Sequence, residues 1–565
     1  MRGDKKYGFI GVSMAFLSIV IIWIVGFGQV TEKVVEAKEK KDTMFEYVQL
    51  INSVAWSIDA KYVEEVDLKE LVYSGIRGML DILDPFSVMK DKEAYEQLME
   101  MTQGKYEGLG MAIALRNEII TVISPIEGTP AYRKGIRAGD KITEIDGQST
   151  RDMSTEEASK LMRGPAGTKV VLKIEREGLM EPLEYELERA VIELKNVPYY
   201  GVIEDDIGYV RLSKFSEESS KELKDALENL KEENIQGLIL DLRSNGGGLL
   251  SQAVETANLF LEKDKLMVYT QGRKQERIRE YFSRGPELFT QTPLAVLVDG
   301  GTASASEIVA GAIQDWDRGV IIGEETFGKG LVQQVFEMPK DTYLKLTIAK
   351  YYIPSGRCIQ KPESAKKHPA IAEKTEGDSL KKEEKEVFFT TGGRKVYGGG
   401  GIVPDVICEP EERKPIEINL ERKQIFFDFA VEYISKHQNI TRDFEVTQDV
   451  VSEFRLFLKE KDFTYKTYVE MQLDTLEKTI SAQNKTELYS QHIEEFKTSI
   501  EKEKESDFDE SLTYIKDAIK RDILRNKFGE VVVYEEAFTK TDPCIRKAIE
   551  ILGSKNKYTS ILGEG

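Results

Sequence analysis

One stretch of the chain, "GGTASASEIVAGAIQDWDRGVIIGEETFGKG" at residues 300–330, offers groups that a hydrolase needs. Ser304 stands at the expected start of a helix, with Glu307 three residues later. The two fit a capping box, in which each side chain accepts a hydrogen bond from the other's backbone N–H. The same helix start would also offer free N–H groups and partial positive charge to an oxyanion beside a nucleophilic serine. The residues alone leave both interpretations open.

A nucleophilic serine requires a base, and histidine does not fit this role. Of the three histidines, His368 lies in a polar segment, whereas His437 and His492 lie in the charged C-terminal region. A lysine accepts a proton only when it is neutral, so its pKa must fall from ~10.4 toward ~7–8, which burial can achieve. Lys329, in "TFGKG", lies between glycines just after an apolar strand. The predicted base for Ser304 is therefore Lys329.

The turn around this lysine has a competing interpretation. Residues 323–330, "GEETFGKG", match the front of a phosphate-binding P-loop, G-x-x-x-x-G-K. However, Gly330 replaces the Ser or Thr that would hold Mg²⁺, and "LVQQVFEMP" then suggests a strand where a P-loop needs a helix. The three cysteines and three histidines form no cluster with metal-ligand spacing. We therefore predict no nucleotide, no metal and no other cofactor.

The elements that must position these residues form a multidomain α/β chain. Apolar residues at helical spacing predict helices over 32–103, and short runs separated by turns predict a β-rich domain over 104–190. Strands such as "IQGLILDLRS" and "PLAVLVDGG" alternate with helices and predict an α/β core over 191–410. This core contains an exposed polar insertion at 361–386. The chain from 411–565 is predicted to be helical.

The N-terminus predicts export from the cytoplasm. Tyr7–Phe27 is apolar and uncharged, long enough for a bilayer core of ~30 Å. Arg2, Lys5 and Lys6 precede it, so we expect residues 1–31 to form a cytoplasmic stub and a single-pass anchor. A cleaved signal peptide is the alternative, although "GFGQVTE" is a poor cleavage site. In a bacterium this places the protein in the inner membrane with its body in the periplasm, or on the extracytoplasmic side.

Charge and cysteine content exclude further classes. The net charge of −20 disfavours binding to nucleic acid or to anionic lipid surfaces, which both attract positive faces. The cysteines, Cys358, Cys408 and Cys544, allow one pair, which is not the pattern of a disulfide-rich fold.

Several motifs together resemble one peptidase family. "TASASEIVAGAIQD" and "GEETFGKGLVQQ", with "LDLRSNGGG", "YYIPSGR" and "GGGGIVPD", are similar to the carboxyl-terminal processing peptidases, or tail-specific proteases, which use a Ser-Lys dyad. The resemblance covers roughly residues 40–410. It implies that Ser304 is the nucleophile and Lys329 the general base. It also implies that Gln333, one helical-turn distance beyond, helps to orient the lysine.

The same resemblance implies the groups around the reacting serine. The Ala305 amide and a glycine amide of "NGGG", assigned to Gly247 with a register open by one residue, match the oxyanion hole. Asp315 matches an aspartate that lies near the site in some members of the family.

The β-rich domain resembles a PDZ domain. The matching strings are "YEGLGMAIAL", "SPIEGTPAYRKGIRAGDKITEIDGQS" and "GPAGTKVVLKI". Successive N–H groups of the loop 107–110 could bind a terminal carboxylate while the peptide adds as a strand to the sheet edge. The expected peptide-binding residues are Leu109, Gly110, Met111, Ile113 and Leu161.

These features predict a serine endopeptidase that recognises apolar C-terminal tails of exported proteins and cleaves them through an acyl-enzyme. The PDZ domain could also gate activity. Residues 411–565 could pack on the protease, mediate homo-oligomerisation or bind an adaptor. The alternative is a membrane-anchored PDZ scaffold with an inactive protease-like domain, and Lys329→Ala distinguishes the two because a scaffold has no cleavage to lose.

Overall fold

The computed structural model describes residues 44–273, 277–285, 288–362, 385–409, 412–437 and 439–563. The predicted membrane anchor, Tyr7–Phe27, lies outside these residues, as does most of the predicted polar insertion. Within the described ranges, no helix is both long enough and apolar enough to cross a bilayer.

The chain divides into two compact units. The first runs up to Asp91 and also includes Gln334–Thr347. It contains helix α1 over residues 44–61, helix α2 (Leu68–Asp81) and strand β1 (Val88–Asp91). The α2 N-cap is Asp67, whose carboxylate accepts the Lys69 N–H at 2.8 Å. β1 pairs antiparallel with residues 342–345, so this unit joins distant parts of the sequence.

The second unit begins with α3 (Lys92–Gln103) and the β-rich domain. The elements of this domain are β2 (Lys105–Gly108), β3 (Met111–Arg116), β4 (Ile119–Pro125), α4 (Pro130–Arg133), β5 (Lys141–Ile145), β6 (Gln148–Ser149), α5 (Thr155–Met162), β7 (Lys169–Glu175), β8 (Leu183–Glu188) and β9 (Ala190–Glu193). The sheet order is β3-β4-β5-β7-β8, with β6 beside β5, and β2 pairs separately with β9. β3 is therefore an edge strand, which is the position that a strand-like peptide could extend.

The α/β core follows in the same unit. It contains β10 (Tyr199–Val202), β11 (Ile207–Arg211), α6 (Ser219–Glu232), β12 (Gly237–Asp241), α7 (Leu250–Asn258), β13 (Leu266–Gly272), β14 (Arg277–Phe282), β15 (Leu294–Val298), α8 (Ala305–Asp315) and β16 (Val320–Gly323). β19 (Val387–Phe389), β20 (Lys395–Tyr397) and β21 (Val406–Ile407) also belong to this unit. β17 (Leu331–Met338) and β18 (Thr342–Tyr352) contain residues of both units. The central sheet has the order β10-β11-β12-β15-β16-β21 and is parallel except for β10.

Both faces of this sheet are covered, so its strands are apolar on both sides. In β12, Leu238 and Leu240 belong to the core shared with α6, α7 and α8, whereas Ile239 faces the opposite side. Side chains alternate across a strand, which explains this division. The carboxyl ends of β12 and β15 lead into the loops that carry the candidate site.

The C-terminal region is helical, as predicted. Its helices are α9 (Pro415–Arg422), α10 (Ile425–Lys436), α11 (Gln448–Glu460), α12 (Tyr468–Ala482), α13 (Thr486–Glu510), α14 (Leu512–Phe528), α15 (Glu530–Val533), α16 (Thr539–Thr541), α17 (Pro543–Leu552) and α18 (Lys555–Leu562), with a π-helical turn at Tyr534–Phe538. α9, α10, α11 and α14 surround an aromatic core that includes Phe426, Phe429 and Phe454. The β-rich domain touches this region where Arg116 Nη2 donates to Asp428 Oδ1 at 2.7 Å.

The last two helices belong to the protease core. Ile545, Ile549 and Leu552 of α17 are buried against Ile239 and Leu297 of the central sheet, on the face opposite to α8. Of the roles that the sequence left open for residues 411–565, packing on the protease is therefore seen for α17 and α18. The core is an α/β/α sandwich completed by the end of the chain.

A disulfide joins Cys408, directly after β21, to Cys544 in α17 with an S–S distance of 2.04 Å. The two cysteines are 136 residues apart, and the helical region lies between them. Cys358 is a free thiol. The cysteine count alone did not indicate this bond.

Candidate active site

Ser304 occupies a sharp turn between strand β15 and helix α8. Its φ of 57° and ψ of −114° lie in a region that residues with a side chain rarely adopt. Its N–H donates to Glu307 Oε2 at 2.7 Å, and its carbonyl accepts the Glu307 N–H at 2.9 Å. The Ser304 hydroxyl makes no capping hydrogen bond to the helix. Only half of the capping box is therefore present, and the strained turn holds the half-buried serine as nucleophile turns of hydrolases do.

Glu307 connects the turn that carries Ser304 (the serine turn) to the irregular segment that carries Lys329 (the lysine turn). Its side chain is fully buried, and its carboxylate accepts four hydrogen bonds. Oε2 accepts from the N–H groups of Ser304 and Lys329 at 2.7 and 2.9 Å. Oε1 accepts from the Thr326 hydroxyl at 2.5 Å and from the Gly328 N–H at 2.8 Å. Burial raises the pKa of the Glu307 carboxyl, although these hydrogen bonds act in the opposite direction.

Tyr351, near the end of β18, makes a second connection between the same two turns. Its hydroxyl contacts the carbonyl oxygen of Ser304 at 3.0 Å and also that of Lys329. Burial, and next the nearby Glu307 carboxylate, raise the Tyr351 pKa well above its usual range, so the hydroxyl keeps its proton. The backbones of Ser304 and Lys329 are thus joined by two buried side chains, which brings the two predicted catalytic residues together.

Lys329 lies in the irregular segment between β16 and β17 and is half-buried. The chain after Gly330 forms β17, a strand, so the helix that a P-loop requires does not follow the "GK" dipeptide. Gln333 is also half-buried, two residues inside the start of β17. The strand predicted for "LVQQVFEMP" is therefore confirmed, and the helical-turn distance assigned to Lys329 and Gln333 is wrong.

The loop after β12 lies against the serine turn. A Cβ added to Gly247 would lie 2.8 Å from Ser304 Cβ and 2.9 Å from Ala305 N. Gly247 has a φ of 93°, in the region that favours glycine. The buried Asn245 holds the loop in place, because its carbonyl accepts the Ala303 N–H at 3.0 Å. The glycine assigned from the sequence is therefore in direct contact with the serine turn.

The two predicted oxyanion donors differ in their surroundings. Ala305 is the first residue of α8, and the first N–H groups of a helix have no carbonyl partner within it. The Gly247 N–H instead donates to Asn245 Oδ1 at 3.0 Å. In this conformation the Gly247 donor is engaged inside its own loop, whereas the Ala305 position fits the oxyanion role.

Asp315 lies away from Ser304. It ends the 11-residue helix α8, so at ~1.5 Å per residue it is about 16 Å along the axis from the serine. Its Oδ1 accepts from Arg357 Nη2 at 2.8 Å, and its Oδ2 accepts from the Ser355 N–H at 2.9 Å. Burial raises the Asp315 pKa, against the lowering effect of Arg357. Asp315 and Arg357 therefore form a fully buried ion pair at the C-terminal end of α8, away from Ser304.

A buried ionic network that the sequence analysis did not single out stands at the carboxyl end of β12. Asp241, fully buried, accepts from Arg211 Nη1 at 2.6 Å, from Arg243 Nη2 at 2.7 Å and from the Tyr209 hydroxyl at 2.8 Å. Burial alone would raise the Asp241 pKa, but the two arginines lower it to about 2. The motif "LDLRSNGGG" carried a signal for this network, since it places Asp and Arg just before the glycine loop.

The predicted peptide groove lies between β3 and α5 of the β-rich domain. Met111, Ile113 and Leu161 are partly buried at the edge of the domain's core, as lining residues would be. Leu109 is only 3% exposed and belongs to the core itself, because its carbonyl accepts the Ala131 N–H and holds the loop inward. Gly110 has a φ of 77°, and a Cβ there would lie 2.3 Å from Thr129 Cβ. The loop therefore needs glycine at this position.

The strained serine turn and the β-rich domain are those expected of a serine-type hydrolase with a PDZ domain, and comparisons with known proteins agree on this class. The sequence profile of Peptidase family S41 matches residues 206–367, and a PDZ domain profile matches 121–176. The profile named Probable PDZ-protease, C-terminal helical domain, matches 416–552, and that of the Activating protease CtpB N-terminal domain matches 13–94.

Several curated proteins described as carboxy-terminal processing proteases are similar to this chain. The carboxy-terminal-processing protease of Bartonella bacilliformis is 41% identical over 307 residues, which are 54% of this chain and 70% of that protein. The carboxy-terminal processing protease CtpA of Bacillus subtilis is 31% identical over 436 residues, 76% of this chain and 90% of that protein. A solved photosystem II D1 C-terminal processing protease is 28% identical, with 64% of this chain and 93% of that chain covered at a TM-score of 0.36.

This chain belongs to the carboxy-terminal processing protease family of serine peptidases and carries a PDZ domain. The family resemblance seen in the sequence is thereby confirmed.

Proposed function

We propose that this chain is an endopeptidase that cleaves exported proteins with a Ser304–Lys329 dyad after its PDZ domain has captured their apolar C-terminal tails. The observation that carries the dyad is the double bridge by Glu307 and Tyr351. Each of these buried side chains contacts the backbone of both Ser304 and Lys329. A pair of turns fixed in this way suits two groups that must exchange a proton.

The reaction follows from these positions. Neutral Lys329 takes the hydroxyl proton of Ser304 as its Oγ attacks the scissile carbonyl carbon. The oxygen of the tetrahedral intermediate becomes negative and accepts the Ala305 N–H at the positive end of α8. The lysine ammonium then gives its proton to the leaving amine, and the peptide C–N bond breaks. Water, deprotonated by the same lysine, hydrolyses the acyl-enzyme and restores Ser304.

The second oxyanion donor requires a local change. The Gly247 N–H must exchange Asn245 Oδ1 for the substrate oxygen. The loop stays anchored through the Asn245 carbonyl, so the exchange moves the Gly247 peptide and the Asn245 side chain, whose Nδ2 donates to the Leu212 carbonyl at 2.8 Å.

Tail capture is supported by the open edge of the PDZ sheet. β3 pairs with β4 alone in the described sheet, so a peptide can add beside it. The half-buried Met111, Ile113 and Leu161 offer an apolar surface next to that edge. An apolar final side chain would bury area there, whereas a charged one would lose hydration without a partner.

An extracytoplasmic location is supported by two independent features. The uncharged Tyr7–Phe27 segment has the length of a membrane anchor. The Cys408–Cys544 disulfide belongs to a class of bond that persists in oxidising compartments. We therefore place the protease at a bacterial inner membrane with its body on the extracytoplasmic side.

The scaffold alternative explains less. A domain that only binds tails has no use for a serine in a strained turn tied to a lysine turn by two buried side chains. Backbone strain of this kind costs about 1–3 kcal/mol, so its presence favours catalysis.

The experiment compares two loosely folded reporters, one ending in apolar and one in charged residues, with the full-length protein in detergent. Wild type is expected to cleave the apolar-tailed reporter preferentially, and both Ser304→Ala and Lys329→Ala to cleave neither. Lys350→Ala is the matched control, because Lys350 is an exposed lysine of the same core. Cleavage by Ser304→Ala would refute the proposed dyad.

The tail preference has its own control. Ile113→Asp places a charge in the groove, whereas Ala112→Asp places it on the exposed side of the same strand. We expect only Ile113→Asp to raise KM for the apolar-tailed reporter. Equal KM values for both variants would refute tail capture by this groove while leaving the dyad unaffected.

A further inference from the structure

The last helices of the chain reach the candidate site through one ion pair. Arg243 Nη1 donates to Asp542 Oδ2 at 2.8 Å, and the two side chains are only 15% and 12% exposed. Asp542 is 299 residues from Arg243 in sequence and is the N-cap of α17. Its other oxygen, Oδ1, accepts the N–H groups of Cys544 and Ile545 at 3.0 and 2.9 Å. One carboxylate therefore starts a helix and binds the arginine at the same time.

Arg243 makes contacts with three further residues. Its Nη2 donates to the buried Asp241 at 2.7 Å, and Arg211 Nη2 donates to its carbonyl oxygen. Its guanidinium also lies 5.4 Å from the ring centre of Phe538, which precedes α17. Charge-assisted hydrogen bonds in a buried setting hold geometry tightly.

The arginine begins the loop that touches the nucleophile. Gly247 follows Arg243 by four positions, and a Cβ added to it would lie 2.8 Å from Ser304 Cβ. Between them, the Asn245 carbonyl accepts the Ala303 N–H at 3.0 Å and the Ser306 hydroxyl at 2.8 Å. A displacement of Arg243 is thus transmitted to the residues on both sides of Ser304.

We propose that Asp542 is a positioning residue for catalysis. It holds Arg243, and Arg243 holds the loop after β12, whose Gly247 completes the oxyanion site beside Ser304. The Cys408–Cys544 disulfide, two residues further along, fixes the start of α17 to the far edge of the sheet. The end of the chain acts in this way as part of the catalytic core. The inference rests on the proposed function.

Asp542→Asn tests this role, because asparagine caps helices as well as aspartate but brings no charge to Arg243. We expect kcat for the apolar-tailed reporter to fall about tenfold or more, since small displacements at a reacting centre have effects of this size. KM should stay unchanged, because tail capture lies in the PDZ domain. The melting temperature and the far-UV circular dichroism should remain close to those of wild type.

Glu204→Gln is the matched control, since Glu204 pairs with Arg546 of the same helix at an exposed position. It is expected to leave kcat unchanged. A second readout is the rate at which a fluorophosphonate labels Ser304, which should fall in Asp542→Asn alone. Should Asp542→Asn fail to fold, Asp542→Ser, which also supplies an N-cap, gives the same comparison.

A kcat and a labelling rate within twofold of wild type in Asp542→Asn would overturn the inference, as would an equal loss in Glu204→Gln. Failure of the proposed function looks different. In that case Ser304→Ala keeps its activity, or wild type leaves the reporter intact. If wild type leaves the reporter intact but its Ser304 is still labelled, the labelling rate of Asp542→Asn against wild type decides the positioning role by itself. If Ser304→Ala keeps its activity, the positioning role is refuted together with the proposed function.

Discussion

The variant Glu307→Gln removes the link between the two catalytic turns while keeping the size of the side chain. The carboxylate now accepts two hydrogen bonds on each oxygen, from Ser304 and Lys329 on one and from Thr326 and Gly328 on the other. An amide offers only one accepting oxygen, and its NH₂ group must face one of these pairs. The favoured orientation turns the NH₂ toward Thr326, whose hydroxyl can accept, and leaves the Gly328 N–H without an acceptor.

The magnitude follows from this loss. A buried group that loses a hydrogen bond to a charged partner costs about 1.5–3 kcal/mol. If this free energy is lost from the transition state, kcat falls between about tenfold and about 150-fold, because 1.36 kcal/mol corresponds to a factor of ten in rate. A similar decrease is expected in the free energy of unfolding, because the site is part of the core.

The assay measures kcat and KM on the apolar-tailed reporter together with urea unfolding. Glu417→Gln is the matched control, because Glu417 is a buried glutamate three residues into α9 whose Oε2 accepts the Lys414 N–H at 3.1 Å. It should lose stability but keep kcat. Equal kcat values for Glu307→Gln and wild type would refute the role assigned to Glu307 in holding the dyad.

Three further results are expected. Gly247→Ala should abolish cleavage, because its Cβ would lie 2.6 Å from the Ala303 carbonyl oxygen. Gly246→Ala should retain cleavage, because a Cβ there has no atom within 4 Å. Equal activities of the two variants would refute the placement of the loop after β12. The Cys408→Ser/Cys544→Ser double variant should lose up to about 5 kcal/mol of unfolding free energy for a 136-residue separation, measured in urea, and an unchanged midpoint would contradict the disulfide. The Asp241 pKa, lowered from 3.8 to about 2, contributes stability that is complete above pH 3.8 and lost as the pH falls toward 2. The free energy of unfolding measured in urea should therefore fall by about 2 kcal/mol across this window in wild type but not in Asp241→Asn, and parallel pH curves would contradict the network.

Much of the fold could be predicted from local patterns. The apolar runs of β12 and β15 and the helix after Ser304 are where the sequence placed them, because strand and helix periods are local properties. Ser304 and Lys329 were found because two short motifs carry them. The helical-turn distance assigned to Lys329 and Gln333 was wrong, because Gln333 lies in the strand that "LVQQVFEMP" itself predicts.

The rest depends on contacts between distant residues. Tyr351 is 47 residues from Ser304, and Asp542 is 299 residues from Arg243, so no local pattern pairs them. Glu307 could be read as a helix cap from its spacing, but its bonds to Gly328 and Lys329 depend on how β16 returns the chain to the site. The contribution of α17 to the protease sheet was likewise hidden in a region that reads as plain charged helix.

Trapping of the acyl-enzyme tests the Ser304–Lys329 dyad. A slowly deacylating ester is mixed with wild type, Ser304→Ala and Lys329→Ala, and the acylated residue is located by peptide mass spectrometry. The proposed dyad predicts an acyl group on Ser304 in wild type and on neither variant. Acylation of another residue, or undiminished acylation of Ser304 in Lys329→Ala, would contradict it.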